Sequence, residues 1–133
     1  MRNRKTITRF IKNRRKKLIN SFKYAKCGFK SAYKKEQNLK IHILVMIMVI
    51  IAGFLLKISI TEWMFCIILF GLLISSELMN TAIEALVDLV MPRIHPKAKF
   101  IKDVSASAVL VLAISSAIIG VIIFLPKIIN LIK

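Results

Sequence analysis

The sequence predicts an all-α integral membrane protein, an N-terminal amphipathic surface helix followed by three transmembrane helices. Hydrophobic residues fill 57% of the 133 positions, more apolar side chain than a soluble domain of this length can bury. They gather in three long runs, and the basic residues gather outside those runs. The net charge is +16, from 22 Lys and Arg against 6 Asp and Glu. In a chain without apolar runs this excess would suggest nucleic acid, whereas beside such runs it points to an anionic membrane surface.

The N-terminal element comes first in the chain and carries most of that charge. Through Lys40 there are 15 basic residues and one acidic residue, Glu36. Ile7, Phe10, Ile11, Leu18, Ile19, Phe22, Ala25, Phe29 and Tyr33 recur at roughly helical spacing among the lysines and arginines. This pattern predicts an amphipathic helix on the inner leaflet, broken near Gly28. The basic stretch is too long for a signal peptide, and no small-residue cleavage site follows the first apolar run. Residues 1–20 are read as a basic arm, and residues 21–133 as one membrane-embedded domain.

The three expected spans are residues 41–56, bracketed by Lys40 and Lys57, residues 63–90, and residues 104–125, closed by Pro126 and Lys127. The first has 16 residues between its lysines. That length gives about 24 Å against a hydrocarbon core of roughly 30 Å, a gap closed by snorkelling lysines or local thinning. Ser59 and Glu62 have capping-box spacing at the start of the second span. Pro92 and Pro96 separate the second from the third. The arm together with Arg93, Lys97, Lys99 and Lys102 holds 19 of the basic residues, against Lys57, Lys127 and Lys133 on the other side. The basic side is expected in the cytoplasm, with the N terminus inside and the C terminus outside. Cys27 and Cys66 fall in segments of different depth, so no disulfide is expected.

Within the second span Glu77, Asn80, Glu84 and Asp88 fall on one face, since at about 100° per residue the last three lie near −60°, −20° and +20° of the first. Ionisable groups are costly inside a membrane, so this face is a functional-site hypothesis. Glu36 precedes the first span, and Lys102 and Asp103 precede the third, at the same expected depth. Each also has a structural explanation. Glu77 could make an interhelical hydrogen bond, Asn80 could join helices, and Asp88 could form an ion pair. Lys102 could be an interfacial anchor, and Asp103 could cap the third helix.

The segment ELMNTAIEALVD, Glu77 to Asp88, resembles the signature of the prokaryotic diacylglycerol kinase family. FKYAKCGFKSAYKKEQNLKIH, Phe22 to His42, resembles that family's surface helix, and KDVSASAV, Lys102 to Val109, the start of its third span. Ser107 stands where related sequences often have Gly, and the arm before Leu18 is unusually long and basic. The resemblance implies a homotrimer that uses ATP and Mg²⁺ to phosphorylate a membrane lipid hydroxyl in the bacterial plasma membrane. It further implies Glu77 as general base at the lipid, Glu36 and Glu84 as metal ligands, and Tyr24, Asn80, His95, Lys102 and Asp103 around the nucleotide, with Glu36 and Glu84. Those roles suit phosphoryl transfer, which asks for an aligned nucleophile and neutralised phosphate charge. With no GxxxxGK[ST] and four glycines in all, the chain has neither a P-loop nor a protein-kinase glycine loop.

The run NLKIH and the stretch VDLVMPRIHPKAKFIKD look more like the Gram-positive-type undecaprenol kinases than like the diacylglycerol enzymes. Met46 and Met48 offer an adaptable apolar wall with no evident donor for ester oxygens. Undecaprenol is therefore the expected substrate and diacylglycerol the alternative. A small pore-former or accessory subunit would not need the carboxylate face, and a nucleic-acid-binding arm has only charge behind it.

Overall fold

The computed structural model describes the backbone of residues 2–132 and the side chains of residues 13–132. It is wholly helical: α1 (Arg2–Lys35), α2 (Gln37–Leu55), α3 (Ile60–Val90) and α4 (Pro96–Ile132). Two units emerge, Met1–Lys35 and Glu36–Lys133.

The first unit is α1, a single continuous helix. The expected break at Gly28 is absent. One glycine in a helix interior costs about 1 kcal/mol, which the neighbouring good helix formers offset. Leu18, Ile19 and Phe22 are exposed on it, between lysines and arginines. The side chains of Ile7, Phe10 and Ile11 lie outside the described residues.

In the second unit, α2, α3 and α4 are each long and apolar enough to cross a membrane. Large apolar side chains such as Leu44, Ile51, Ile68 and Ile122 stand exposed along them, as lipid-facing residues do. Each helix begins before its expected span, and α4 also runs past the end of its span. Pro96 supplies the first turn of α4, where a missing N–H costs nothing. His95 caps this helix by accepting the Lys97 N–H on Nδ1 at 3.1 Å, so Asp103 sits one turn or more inside and is not the cap. At the other end α4 runs through Pro126 to Ile132 instead of stopping. The proline removes one backbone hydrogen bond without ending the helix.

Between α2 and α3 the chain reverses in four residues. Lys57 takes the left-handed conformation at φ 50°, and Ile58 N–H and Lys57 N–H return to the carbonyls of Gly53 and Phe54 at 3.1 and 3.3 Å. This is a Schellman closure with lysine in the place glycine usually takes. Ser59 then begins α3 with the expected capping box: its N–H donates to Glu62 Oε2 at 2.6 Å and its Oγ accepts from Glu62 N–H at 3.3 Å.

Antiparallel α3 and α4 are tied at both ends, by Lys102 with Asp88 and by Lys127 with Glu62 at 3.1 Å. Near the α2–α3 turn, buried Ile58, Cys66 and Ile123 form a small core with Trp63, Phe70 and Phe124 around it. Trp63 lies against Phe54, ring centroids 5.0 Å apart, and over Gly53, where an added Cβ would meet the indole at 2.8 Å. Cys66 and Cys27 are both free. The opposite end of this unit buries polar groups instead.

Candidate active site

Helical spacing aligns Glu77, Asn80 and Glu84 on α3, and packing then buries the first two. Glu77 is 2% exposed and Asn80 8%. Asn80 Nδ2 donates to Glu84 Oε1 at 3.1 Å, which orients the amide and leaves its carbonyl facing inward. Across the helix interface, Glu77 Oε1 lies 3.0 Å from Nε2 of His42 on α2. The contact is close but off the hydrogen-bond axis, so Glu77 Oε1, like Asn80 Oδ1, is buried with accepting capacity left over. Both residues line a cleft of about 260 Å³, whose far wall is Ala106, Val109 and Ala113 of α4. An unmet buried acceptor costs about 1–3 kcal/mol, and a ligand hydroxyl or amide entering this cleft would recover it.

Glu36 sits at the N-cap of α2 with extended backbone, φ −93° and ψ 121°, and its side chain makes no cap hydrogen bond. Glu36 and Glu84 are both near enough to act electrostatically on Glu77. Three carboxylates from the two helices thus gather at one end of the unit. Among the described residues no three His, Cys, Asp or Glu side chains approach closely enough to hold a metal ion by themselves.

Two further cavities flank this centre. At the α3–α4 turn a pocket of about 310 Å³ is lined by Asp88, Arg93, His95, Lys102 and Asp103. Here Lys102 pairs with Asp88 and Lys99 with Asp103. An apolar groove of about 320 Å³ runs between α2, α3 and α4 past Met46, Phe70 and Ile123. Met46 faces it, while Met48 is 52% exposed on the outer side of α2. A hydroxyl donor also borders the groove, that of Ser116, which is buried there without a hydrogen-bond partner.

The prokaryotic diacylglycerol kinase family model matches residues 23–124. The chain belongs to the prokaryotic diacylglycerol kinase family. It is 44% identical over 116 residues to the undecaprenol kinase of Bacillus subtilis, an alignment covering 87% of this chain and 94% of that one. It is 36% identical over 115 residues to the diacylglycerol kinase of Synechocystis, covering 86% of this chain and 66% of the relative. With the diacylglycerol kinase of Pseudomonas aeruginosa it shares 34% identity over 93 residues, 70% of this chain and 76% of the other. Within this family of lipid kinases the matched stretch takes in every expected site residue, and the arm before residue 23 falls outside it.

The expected residues of this diacylglycerol kinase-family chain fall into separate groups. Glu77 and Asn80 line the cleft, with Glu84 bonded to Asn80 and Glu36 within electrostatic reach of Glu77, whereas His95, Lys102 and Asp103 border the pocket at the turn. Asp88 takes the ion-pair role that its position at a helix end allowed. Tyr24, 70% exposed, belongs to α1 and the other unit. His42 is the residue that sequence reasoning missed. Its signal was present, because it is the one polar side chain between Lys40 and Lys57, and the cost argument applied to Glu77 applies to it as well.

Proposed function

We propose that the chain transfers the γ-phosphoryl group of ATP to the terminal hydroxyl of undecaprenol at the inner face of the bacterial plasma membrane. The observation that carries this reading is Glu77, a carboxylate 2% exposed, with an acceptor oxygen open to a cleft that adjoins an apolar groove. A polyisoprenoid chain fits the groove, and its hydroxyl then meets Glu77, which takes the proton as general base. Asn80 orients Glu84 through their hydrogen bond and offers its free carbonyl oxygen to a hydroxyl or amino donor. Lys102, with Asp88, His95 and Asp103 around it, supplies the cation for phosphate oxygens at the turn pocket. Family resemblance assigns Tyr24 of α1 to the nucleotide.

The donor set suits Mg²⁺. A hard cation that keeps several waters and phosphate oxygens needs only one or two protein carboxylates, and Glu36 and Glu84 are two carboxylates on the side of Glu77. When bound there, the metal would neutralise phosphate charge in the transition state.

In this reading the kinase domain spans residues 21–133 and residues 1–20 form an arm that holds to anionic lipid. The N terminus is cytoplasmic and the C terminus external, by the distribution of lysine and arginine. The subunits form a homotrimer with active sites between neighbours, which would cover part of the apolar surface left exposed on the helices.

Support for undecaprenol is the Bacillus subtilis relative, matched over 94% of its length. Diacylglycerol is the second reading, favoured by the Ser116 hydroxyl, which an ester carbonyl could accept from inside the groove. Competition between the two lipids in mixed micelles decides. Undecaprenol is expected to have the higher kcat/KM, and an equal or higher value for diacylglycerol reverses the assignment.

A further inference from the structure

We propose that His42 is the positioning residue of this site: from α2 it holds the Glu77 carboxylate at the junction where the polar cleft meets the apolar groove. This inference rests on the reading of Glu77 as general base and adds a second residue to it.

The geometry has two parts. Nε2 of His42 and Oε1 of Glu77 are 3.0 Å apart, a close polar contact between α2 and α3 at this end of the unit. His42 and Ala113 are also the two residues that border both the polar cleft and the apolar groove. Ala113 has no polar atom in its side chain, so any directed interaction at the junction falls to the imidazole. A lipid alcohol with its chain in the groove and its hydroxyl in the cleft has to pass His42.

The chemistry follows from the partner. A carboxylate oxygen only accepts, so it favours a proton on the nitrogen nearest it, the Nε2–H tautomer in neutral imidazole, and a small turn of the ring brings that N–H into line with Oε1. Glu77 on its own helix has no comparable restraint: Thr81 Oγ1 is spent on the Glu77 backbone carbonyl at 2.9 Å, and Asn80 Nδ2 on Glu84. An unrestrained glutamate has three rotatable torsions, and a base displaced by about 1 Å loses up to roughly 10²-fold in rate. In the transfer step the lipid oxygen bonds to the γ-phosphorus while the bond from that phosphorus to the ADP oxygen breaks. The hydroxyl proton moves onto the Glu77 carboxylate, and His42 keeps its own proton throughout.

The test compares His42→Gln, His42→Asn and His42→Leu, assayed in detergent micelles with undecaprenol, diacylglycerol and MgATP. The Gln side-chain amide reaches the place of Nε2, whereas that of Asn stops near Nδ1. His42→Gln should keep kcat within about threefold, while His42→Asn and His42→Leu should lower it roughly 10- to 100-fold with the KM for MgATP within about twofold. If His42→Leu fails to fold, the Gln and Asn pair, equally polar, still decides. On a Glu77→Gln background, His42→Asn should cause no further loss. Equal activity of the Gln and Asn variants, or a KM effect alone, overturns the positioning role. An active Glu77→Gln variant instead removes the base assignment on which the inference stands, so the two failures are distinguishable.

Discussion

Replacing Glu77 by Gln separates the chemistry of the site from its shape. The amide has nearly the volume of the carboxylate and can stay in the close polar contact with His42, 3.0 Å away at present. A side chain 2% exposed also ceases to be a buried charge, so the fold should melt at the same temperature or higher. What disappears is the capacity to take the lipid proton. Losing a general base typically costs about 10² in rate, equivalent to about 2.7 kcal/mol of transition-state stabilisation. Glu77→Asp keeps the charge but withdraws it by one methylene, and should lose roughly 10-fold or more through misplacement alone. The assay is initial-rate phosphorylation of undecaprenol in micelles, with thermal unfolding in the same detergent. If Glu77→Gln turns over within a few fold of the parent while folding normally, Glu77 is not the base.

Glu36→Gln and Glu84→Gln should each shift the Mg²⁺ activation curve to higher concentration, since each removes one of two hard ligands; unchanged curves in both would move the metal elsewhere. Deleting residues 2–17 should weaken binding to vesicles containing anionic lipid and spare activity in neutral detergent, because the family match begins at residue 23. Vesicle flotation and micelle assays read the two effects separately. Gly53→Ala should destabilise the α2–α3 end by about 1–3 kcal/mol, because the new Cβ would stand 2.8 Å from the Trp63 indole. An unchanged unfolding midpoint would mean that Trp63 moves aside freely.

The membrane character, the three long helices and the single carboxylate-bearing face follow from the sequence alone, because each depends on local periodicity and on the cost of charge in hydrocarbon. Glu77, Asn80 and Glu84 share a face whatever surrounds α3, since 3.6 residues per turn decides it. The capping box at Ser59 and Glu62 is equally local, and it forms as expected. Helix ends proved less legible. Pro126 resembles a stop, yet α4 continues beyond it, and Asp103 has the chemistry of a cap that His95 provides instead. Only tertiary structure decides partners across helices. That Lys102 pairs with Asp88, that Met46 faces the groove while Met48 does not, and that His42 meets Glu77 all depend on how α2 and α4 are rotated against α3. No pattern within one helix encodes that rotation: it is set by the sum of many small contacts between neighbours, of which His42 with Glu77 is one.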